Sequence, residues 1–267
     1  MSIIAEERLI DAVRQQLEPY AMLSLTELGS LHMLNRFDEK YLFSFNQLMR
    51  CLPRLQAHYR VLQTGLQRSC RYDNLYYDTP ELDCYVMHLT DRGQRFKVRF
   101  RRYENTGHCF LEVKKKSNKG HTYKLRLPAD RMDVTLDNEQ IGFLHRSGIA
   151  VARKLEPSLL VQFQRITLVC PDYTERITID FGLGYSGNGH ERPMSDLVIA
   201  EIKQEHHAYH SPFRSLMLRQ RIFPTTFSKY CMGIVLTHPG IKHNRFKPRL
   251  LYIRKLLNGR FAHDAVA

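Results

Sequence analysis

The chain has 267 residues, enough for one large domain or two small ones with a buried core. Hydrophobic residues make up 43% and charged residues 25%, which is typical of a soluble globular protein. The net charge of +13 is unusual, and it indicates a polyanionic partner such as nucleic acid, an anionic membrane or a polyphosphorylated ligand.

Cysteine usage and hydropathy exclude several further classes. The six cysteines are scattered without a CxxC pair, which argues against a zinc site or a disulfide framework. No apolar run approaches the roughly 18 to 20 residues needed to span a bilayer, and the start "MSIIAEERLIDAV" lacks the layout of a signal peptide. We therefore expect a reduced, soluble, cytoplasmic protein without a transmembrane segment. The sequence leaves its oligomeric state open.

The predicted elements change type near Arg36. Before it, segment 1–33 is helical, because apolar residues recur at helical spacing from Ile3 to Leu17 and Pro19 ends the run. After it, short alternating segments predominate. The predicted strands cover residues 36–43, 73–79, 95–103, 109–117, 123–127, 159–169, 176–183 and 197–204, and further helices cover 45–55, 137–149 and 211–222. The glycine-rich stretch 182–193 lacks the lysine and the following helix of a phosphate-binding loop, so it is predicted to be a flexible turn.

The stretch "RFKVRFRRY" (95–103) shows how the charges are arranged. Its basic residues occupy every second position, from Arg95 to Arg101, with Phe96 and Phe100 among the residues between them. Successive side chains of a strand point to opposite faces, so this strand has one basic face and one mostly apolar face. A helix would scatter the same charges around its axis.

Later strands repeat this alternation of a charged face and an apolar face. Arg176 shares a face with Thr178 and Asp180, and Glu201 shares one with Lys203. An open sheet could expose these charged faces to water, or a barrel could turn them inward and cover its apolar outside with helices. A lumen lined by so many cations is tolerable only if a polyanion or water fills it. The fold class predicted here is therefore α+β, an antiparallel closed β-barrel with a charged lumen that helices cover on the outside.

The charged faces also supply candidate ligands. Arg and Lys suit phosphate oxygens, and the acids Glu112, Asp180 and Glu201 suit a hard divalent cation that bridges phosphates. Glu112 and Asp180 could equally be ion-pair partners of Lys114 and Arg176 in the lumen. Arg165 departs from this pattern, because the residues that share its face of the strand would be the apolar Val161 and Phe163. Either a bulge re-aims Arg165 or the strand register differs there.

Seven short motifs follow one another along the chain. They are "RFDEKYLF", "LYYDTPELDCY" followed by "KVRFRRY", "FLEVKKKS", "QFQRITLV", "RITIDFGL", "VIAEIK" and "FSKYCMG". Over roughly residues 34–236 this order resembles the VTC (vacuolar transporter chaperone) domain, the polyphosphate polymerase branch of the triphosphate tunnel metalloenzyme (CYTH-like) superfamily. The resemblance implies a tunnel domain over 34–240, between the helical segment 1–33 and a basic tail over 241–267.

The resemblance also implies roles for individual residues. The implied catalytic phosphate ligands are Lys40, Arg99, Arg101, Lys114, Arg165 and Lys229. The predicted substrate-binding residues, Arg176 by resemblance and the others from the charged faces, are Arg36, Lys97, Lys116, Lys124, Arg126, Arg176 and Lys203. Glu201 matches the position of the family's catalytic metal, Mg²⁺ or Mn²⁺, and Glu112 and Asp180 are second candidates.

The implied activity is transfer of the γ-phosphoryl group of ATP to inorganic polyphosphate. The expected ligands are ATP and pyrophosphate or polyphosphate. A metal-dependent triphosphatase is the alternative within the fold, although Asp38 departs from the ExExK form of other branches. No candidate appears for the SPX sensor or transmembrane helices of eukaryotic members, so we do not expect export of polymer into an organelle.

The alternative hypothesis from another functional class is a nucleic-acid-binding protein without enzymatic activity. We expect no specific nucleic acid, because Phe96 and Phe100 alternate away from the basic face, whereas single-strand binders interleave aromatic residues with it. The tail from Lys242 to Arg260 has seven basic residues and no acid. It is predicted to be solvated and disordered, although it could make a peripheral contact with RNA or anionic lipid.

Overall fold

Strands form the framework of the fold. The computed structural model describes residues 3–29, 37–119, 121–204 and 211–257. The strands are β1 (Met22–Leu23), β2 (Phe37–Ser44), β3 (Arg60–Leu62), β4 (Cys70–Asp78), β5 (Arg95–Tyr103), β6 (Cys109–Lys116), β7 (Thr122–Ala129), β8 (Glu156–Val169), β9 (Glu175–Gly187), β10 (His190–Met194) and β11 (Leu197–Gln204).

The helices between them are short. They are α1 (Ile3–Leu17), α2 (Leu25–Gly29), α3 (Phe45–Leu55), α4 (Asp83–Leu89), α5 (Asn138–Arg146), α6 (Pro212–Arg219), α7 (Lys229–Thr237) and α8 (Lys247–Leu256). Within the described ranges, none of them has both the length and the apolar composition required to cross a membrane.

One sheet contains all the strands. Its main path runs β2-β11-β9-β8-β4-β5-β6-β7 with every neighbour antiparallel, while β10 pairs with β9 and the short β3 and β1 extend from β8. In the part of the chain that the structure describes, no ladder joins β2 to β7. The closed barrel is therefore not confirmed, because closure requires the two edge strands to pair. The sheet is instead large, antiparallel and open, in a mixed α/β fold.

The apolar faces of the strands pack under helices as the alternation predicts. Ile177, Ile179 and Phe181 of β9 belong to the same cluster as Val198 and Ile202 of β11, together with residues of α1, α3 and α6. A second cluster joins apolar residues of β5 and β6 to Leu144 of α5. Burial of these large side chains is the main driving force for the fold.

Helix α7 lies on the inner face of the sheet, which the sequence analysis did not predict. Every residue from Tyr230 to Thr237 is buried. The helix packs against Leu42 and Ile199, which share strand faces with Lys40 and Glu201 respectively. Gly233 permits the approach, because a Cβ there would lie 2.4 Å from a methyl carbon of Leu159. The inner side is therefore apolar at one end and charged at the other.

The stretch "DTPELDCY" (78–85) serves the framework rather than the charged face. Asp78 is fully buried and accepts hydrogen bonds from the backbone N–H groups of Thr79, Cys84 and Tyr85. It also accepts one from the hydroxyl of Tyr230. One carboxylate thus ties the end of β4 to the start of α4 and to α7, and its bonds satisfy backbone donors at a helix N-terminus.

The prediction of a disordered tail is wrong for residues 247–257. Leu250, Ile253 and Leu257 recur at helical spacing and are buried in the same cluster as α7. Arg249 donates hydrogen bonds to the hydroxyls of Thr225 and Thr226, which holds α8 against the loop before α7. The high charge of this segment concealed its apolar face. Residues 258–267 lie outside the described residues.

The glycine-rich stretch is a hairpin rather than a flexible turn. Strand β9 runs through Gly184 to Gly187 and pairs with β10 along five residue pairs. Asn188 and Gly189 between the strands have φ of 48° and 72°. Positive φ at both central residues is the geometry of a type I′ turn, whose twist matches that of the flanking strands.

Candidate active site

A cavity of about 760 Å³ occupies the charged part of the inner face. Strands β2, β4 to β9 and β11 contribute to its wall, as does the loop that leads into α7. The basic residues on this wall are Lys40, Lys97, Arg99, Arg101, Lys114, Lys124, Arg126, Arg165, Arg176, Lys203 and Lys229. Its acidic residues are Glu112, Asp180 and Glu201. Within the described residues, the wall therefore has eleven cations and three carboxylates.

Most of the predicted site residues meet here. All six predicted catalytic residues lie on the wall, as do five of the predicted substrate-binding residues. Lys116 is absent from the wall, because it ends β6 beside Arg95, beyond Lys114. Arg36 lies outside the described residues. Helix α7 positions Lys229, because Ser228 caps its N-terminus by accepting a hydrogen bond from the N–H of Cys231.

Arg165 shares its strand face with Val161 and Phe163, because α7 covers the apolar end of this face while Arg165 lies at the charged end. The pairing of β8 with β9 shifts register between Gln162 and Gln164, opposite Gly182, whose φ of 61° favours glycine. The bulge lies in β9, where Gly182 and Leu183 are opposite the single residue Phe163, so β8 keeps its alternation through Arg165 and neither alternative from the sequence applies. Phe163 and Arg165 both line the cavity, and Arg165 lies directly opposite Asp180.

Glu112 is the centre of the first charged group. Arg99 donates two hydrogen bonds to its Oε2, at 2.9 Å from Nε and 2.7 Å from Nη2, and Lys124 Nζ lies 2.6 Å from Oε1. Arg101 Nε is 3.7 Å from Oε2. Burial acts to raise the pKa of Glu112, but these three cations together lower that pKa to about 2. Glu112 therefore stays ionised with only 2% of its side chain exposed.

Asp180 is the centre of the second group. Arg165 donates to both carboxylate oxygens at 2.6 and 2.7 Å, and Lys229 donates to Oδ2. Burial opposes ionisation, yet Arg165 and Lys229 lower the pKa of Asp180. This fork-to-fork geometry is the strongest form of a charge-assisted hydrogen bond.

The ion-pair partners predicted for Glu112 and Asp180 were wrong. Glu112 and Asp180 are ion-pair partners in the cavity, but with Arg99 and Arg165 rather than with Lys114 and Arg176. The reason is register. Arg99 lies directly opposite Glu112 on the neighbouring strand, and Arg165 lies directly opposite Asp180. Directly opposite residues have the closest Cβ atoms, so opposite charges meet there first.

The third group has more lysine than carboxylate. Glu201 accepts a hydrogen bond from Lys203, and Lys40 Nζ lies 3.6 Å from its other oxygen. Burial acts to raise the pKa of Glu201, but Lys203 and Lys40 lower that pKa. Within the described part of the chain, Lys114 forms no ion pair with a carboxylate, and burial and Lys97 lower its pKa. Among the described residues, this end of the cavity therefore has more lysines than carboxylates, even with Asp38 3.8 Å from Lys203.

The acids do not form a metal cage by themselves. Among the residues that the structure describes, no group of three or more His, Cys, Asp or Glu residues could hold a metal ion. Side-chain exposure is 2% for Glu112 and 3% for Asp180, whereas Glu201 is 21% exposed. Mg²⁺ commonly binds through one or two carboxylates together with substrate phosphates and water. The arrangement therefore fits an ion that enters with its phosphate ligand, and Glu201 is the most exposed of the three carboxylates.

Aromatic rings support several of the cations. The guanidinium of Arg165 lies 4.9 Å from the ring centre of Tyr72, and that of Arg101 lies 5.4 Å from it. Lys229 Nζ lies 4.6 Å from the ring centre of Phe163. Phe96 and Phe100 do face away from the cavity as predicted, but other aromatic side chains line it. Because cations lie over the rings of Tyr72 and Phe163, these ring faces are not presented for stacking against bases.

The sequence analysis missed two uncharged residues of the wall that accept hydrogen bonds from its cations. Tyr76 accepts a hydrogen bond from Arg99 Nη1 at 2.9 Å, and Ser228 accepts one from Lys97 Nζ at 2.9 Å. Alternation from Tyr72 along β4 could have identified Tyr76. No local pattern marks Ser228, because only the position of α7 brings it to the cavity.

Comparison with known proteins agrees with this architecture. Residues 35–238 match the model of the VTC domain family. A search of curated proteins found no match. The crystal structure of a putative adenylate cyclase from Bacillus halodurans is 14% identical with a TM-score of 0.50, covering 74% of this chain and 96% of that one. This likeness supports the fold alone.

A second solved structure is similar at a lower score. It is a putative adenylyl cyclase from Hippeastrum that is described as having a dominant triphosphatase activity. It is 14% identical with a TM-score of 0.45, and the match covers 78% of this chain and 99% of that one.

The charge on Glu112 predicts how stability depends on pH. Its pKa is lower in the folded state than in the unfolded state, so its contribution is complete above the unfolded value and is lost as the pH falls towards 2. Between pH 5 and 2 the free energy of unfolding of the wild type should fall more than that of Glu112→Gln, by up to about 3 kcal/mol. Urea denaturation at intervals of pH measures both slopes. Parallel slopes would show that the Glu112 ion pairs do not stabilise the fold.

Proposed function

Because this chain belongs to the VTC domain family, we propose that it is a polyphosphate polymerase that transfers the γ-phosphoryl group of ATP to inorganic polyphosphate and releases ADP. The observation that carries the proposal is the charge of the cavity. Its wall has eight more cations than carboxylates among the described residues. So many unneutralised cations in a confined space repel one another, and a bound polyanion relieves that repulsion.

The size of the excess favours two polyanionic ligands over one. A single triphosphate group carries fewer negative charges than the eight that would neutralise the described wall. A polymerase must hold a nucleoside triphosphate and the end of a phosphate chain together, whereas a hydrolase needs only the first and a water molecule. The charge balance therefore supports transfer to a second phosphate group.

The residues of the wall have roles that follow from their chemistry. Phosphoryl transfer needs in-line positioning and neutralisation of charge on the transferred group, with little covalent assistance. Arg99 and Arg165 are held by their carboxylates with fixed guanidinium planes, so they can orient phosphate oxygens. Lys114 and its lysine neighbours act as point charges. A divalent ion such as Mg²⁺ or Mn²⁺, reached by Glu201, would neutralise phosphate oxygens when bound.

The same features of the cavity bear on the two alternative functions. A metal-dependent triphosphatase of this fold would use the same donor site, with water in place of the acceptor phosphate. A nucleic-acid-binding role is disfavoured, because Arg101, Arg165 and Lys229 cover aromatic rings that would otherwise be available to stack with bases.

The first test is the product of the reaction. Incubation of the protein with ATP and Mn²⁺ should yield ADP and a ladder of long polyphosphate on a gel. Release of orthophosphate without a ladder would contradict polymerase activity and would indicate the triphosphatase.

The second test separates binding from turnover at Glu201. Glu201→Gln keeps the shape of the side chain and removes a negative charge beside Lys40 and Lys203. We expect it to bind tripolyphosphate in calorimetry as tightly as the wild type or more tightly, and to turn over ATP far more slowly. The reason is that charge developing during transfer needs stabilisation that binding alone does not need.

Glu39→Gln is the matched control, because Glu39 lies on the neighbouring strand and pairs with Arg214 instead of lining the cavity. It should bind and turn over like the wild type. Weaker binding by Glu201→Gln, with unchanged turnover of each bound substrate, would show that Glu201 serves the structure.

A further inference from the structure

Tyr76 is an uncharged side chain in the middle of the cationic wall. It lines the cavity and is 5% exposed. Its ring packs against the ring of Tyr230 in α7, with 5.0 Å between ring centres. The backbone pairing of β4 with β5 places Tyr76 directly opposite Arg99. Tyr76 is therefore held in place by the apolar end of the inner face while its polar end meets the charged part.

The hydroxyl of Tyr76 completes the restraint on Arg99. Arg99 directs Nε and Nη2 to Glu112 and directs Nη1 to the Tyr76 hydroxyl. All three guanidinium nitrogens thus have a partner, and one N–H on each terminal nitrogen is left for a ligand. Such a fixed fork is the geometry that binds phosphate most specifically.

The same hydrogen bond determines what the hydroxyl can do. Its oxygen accepts from Arg99, so its own proton points elsewhere. In the described portion of the chain, no acceptor receives that proton. The nearby charges are cationic as well, since Arg99, Lys97 and Arg101 oppose the effect of burial and lower the pKa of Tyr76. A hydroxyl donor surrounded by cations in a cavity is suited to an anionic oxygen atom.

We propose that Tyr76 is a phosphate-binding residue of this cavity, whose hydroxyl donates a hydrogen bond to a substrate phosphate oxygen while it orients Arg99. This inference rests on the proposed function, and it adds a neutral ligand to a set otherwise made of cations. A neutral donor binds an oxygen without adding to the repulsion among its neighbours. It also has a fixed direction, which a flexible lysine lacks.

The test is calorimetric titration of Tyr76→Phe and Tyr77→Phe with tripolyphosphate. Tyr76→Phe keeps the ring and removes the hydroxyl, so it should fold normally and bind tripolyphosphate roughly tenfold to a hundredfold more weakly, as expected for a hydrogen bond to a charged group. Tyr77 is the matched control on the opposite face of β4, where its hydroxyl donates to the backbone oxygen of Asp133. Tyr77→Phe should bind like the wild type even if its melting temperature falls.

Three results would overturn the inference. Tyr76→Phe could bind with wild-type affinity, both variants could weaken binding equally, or Tyr76→Phe could fail to fold, which would mean that the hydroxyl serves the core. Failure of the proposed function is a different result, because the wild type itself would then not bind tripolyphosphate. Binding by the wild type without polymer formation would leave the role of Tyr76 fully testable by this titration.

Discussion

Repulsion among cations on the inner face of the sheet is the constraint on which the rest of the structure depends. Eleven lysine and arginine side chains share a cavity of about 760 Å³ with three carboxylates in the described part of the chain. At such separations in a partly desolvated space, like charges destabilise the fold. The stability must therefore come from elsewhere, and the apolar outer face beneath α1, α3, α5 and α6 supplies it.

Local pairing determines which cations are restrained and which are free to respond to a ligand. Glu112 and Asp180 are almost inaccessible and fix Arg99 and Arg165 through hydrogen bonds. Aromatic rings beneath Arg101 and Lys229 add a weaker restraint. Lys114 lacks a carboxylate partner within the described residues. The cavity therefore combines fixed guanidinium groups, which can orient a ligand, with lysines whose mutual repulsion a bound polyanion would relieve most.

Much of the site was predictable because a strand has a period of two residues. Once Arg99 is assigned to the cavity, Arg101 and Phe100 follow on opposite faces, and the same argument places Glu201 with Lys203. The partners across strands were not predictable, because register is set by pairing between distant segments. Glu112 thus pairs with Arg99 instead of Lys114, and a bulge at Gly182 shifts the register of β9 against β8.

The remaining errors concern elements whose position depends on tertiary packing. The apolar helix α7 could be recognised as buried, but its place inside the sheet, with Ser228 and Lys229 at the cavity, has no local signal. Asp78 belongs to the most recognisable motif, yet it ties α4 to α7 through hydrogen bonds. The open edge between β2 and β7 likewise depends on sheet curvature, which the alternation does not specify.

Thermal unfolding with added polyanions tests most directly whether the excess of positive charge in the cavity exists for a phosphate chain. A ligand that binds only the folded state raises the melting temperature by mass action, and here it also relieves repulsion among the cations. Tripolyphosphate should raise the melting temperature well above the value in sulfate of equal ionic strength, and short single-stranded RNA should have a much smaller effect. An increase with RNA and none with tripolyphosphate would contradict the account.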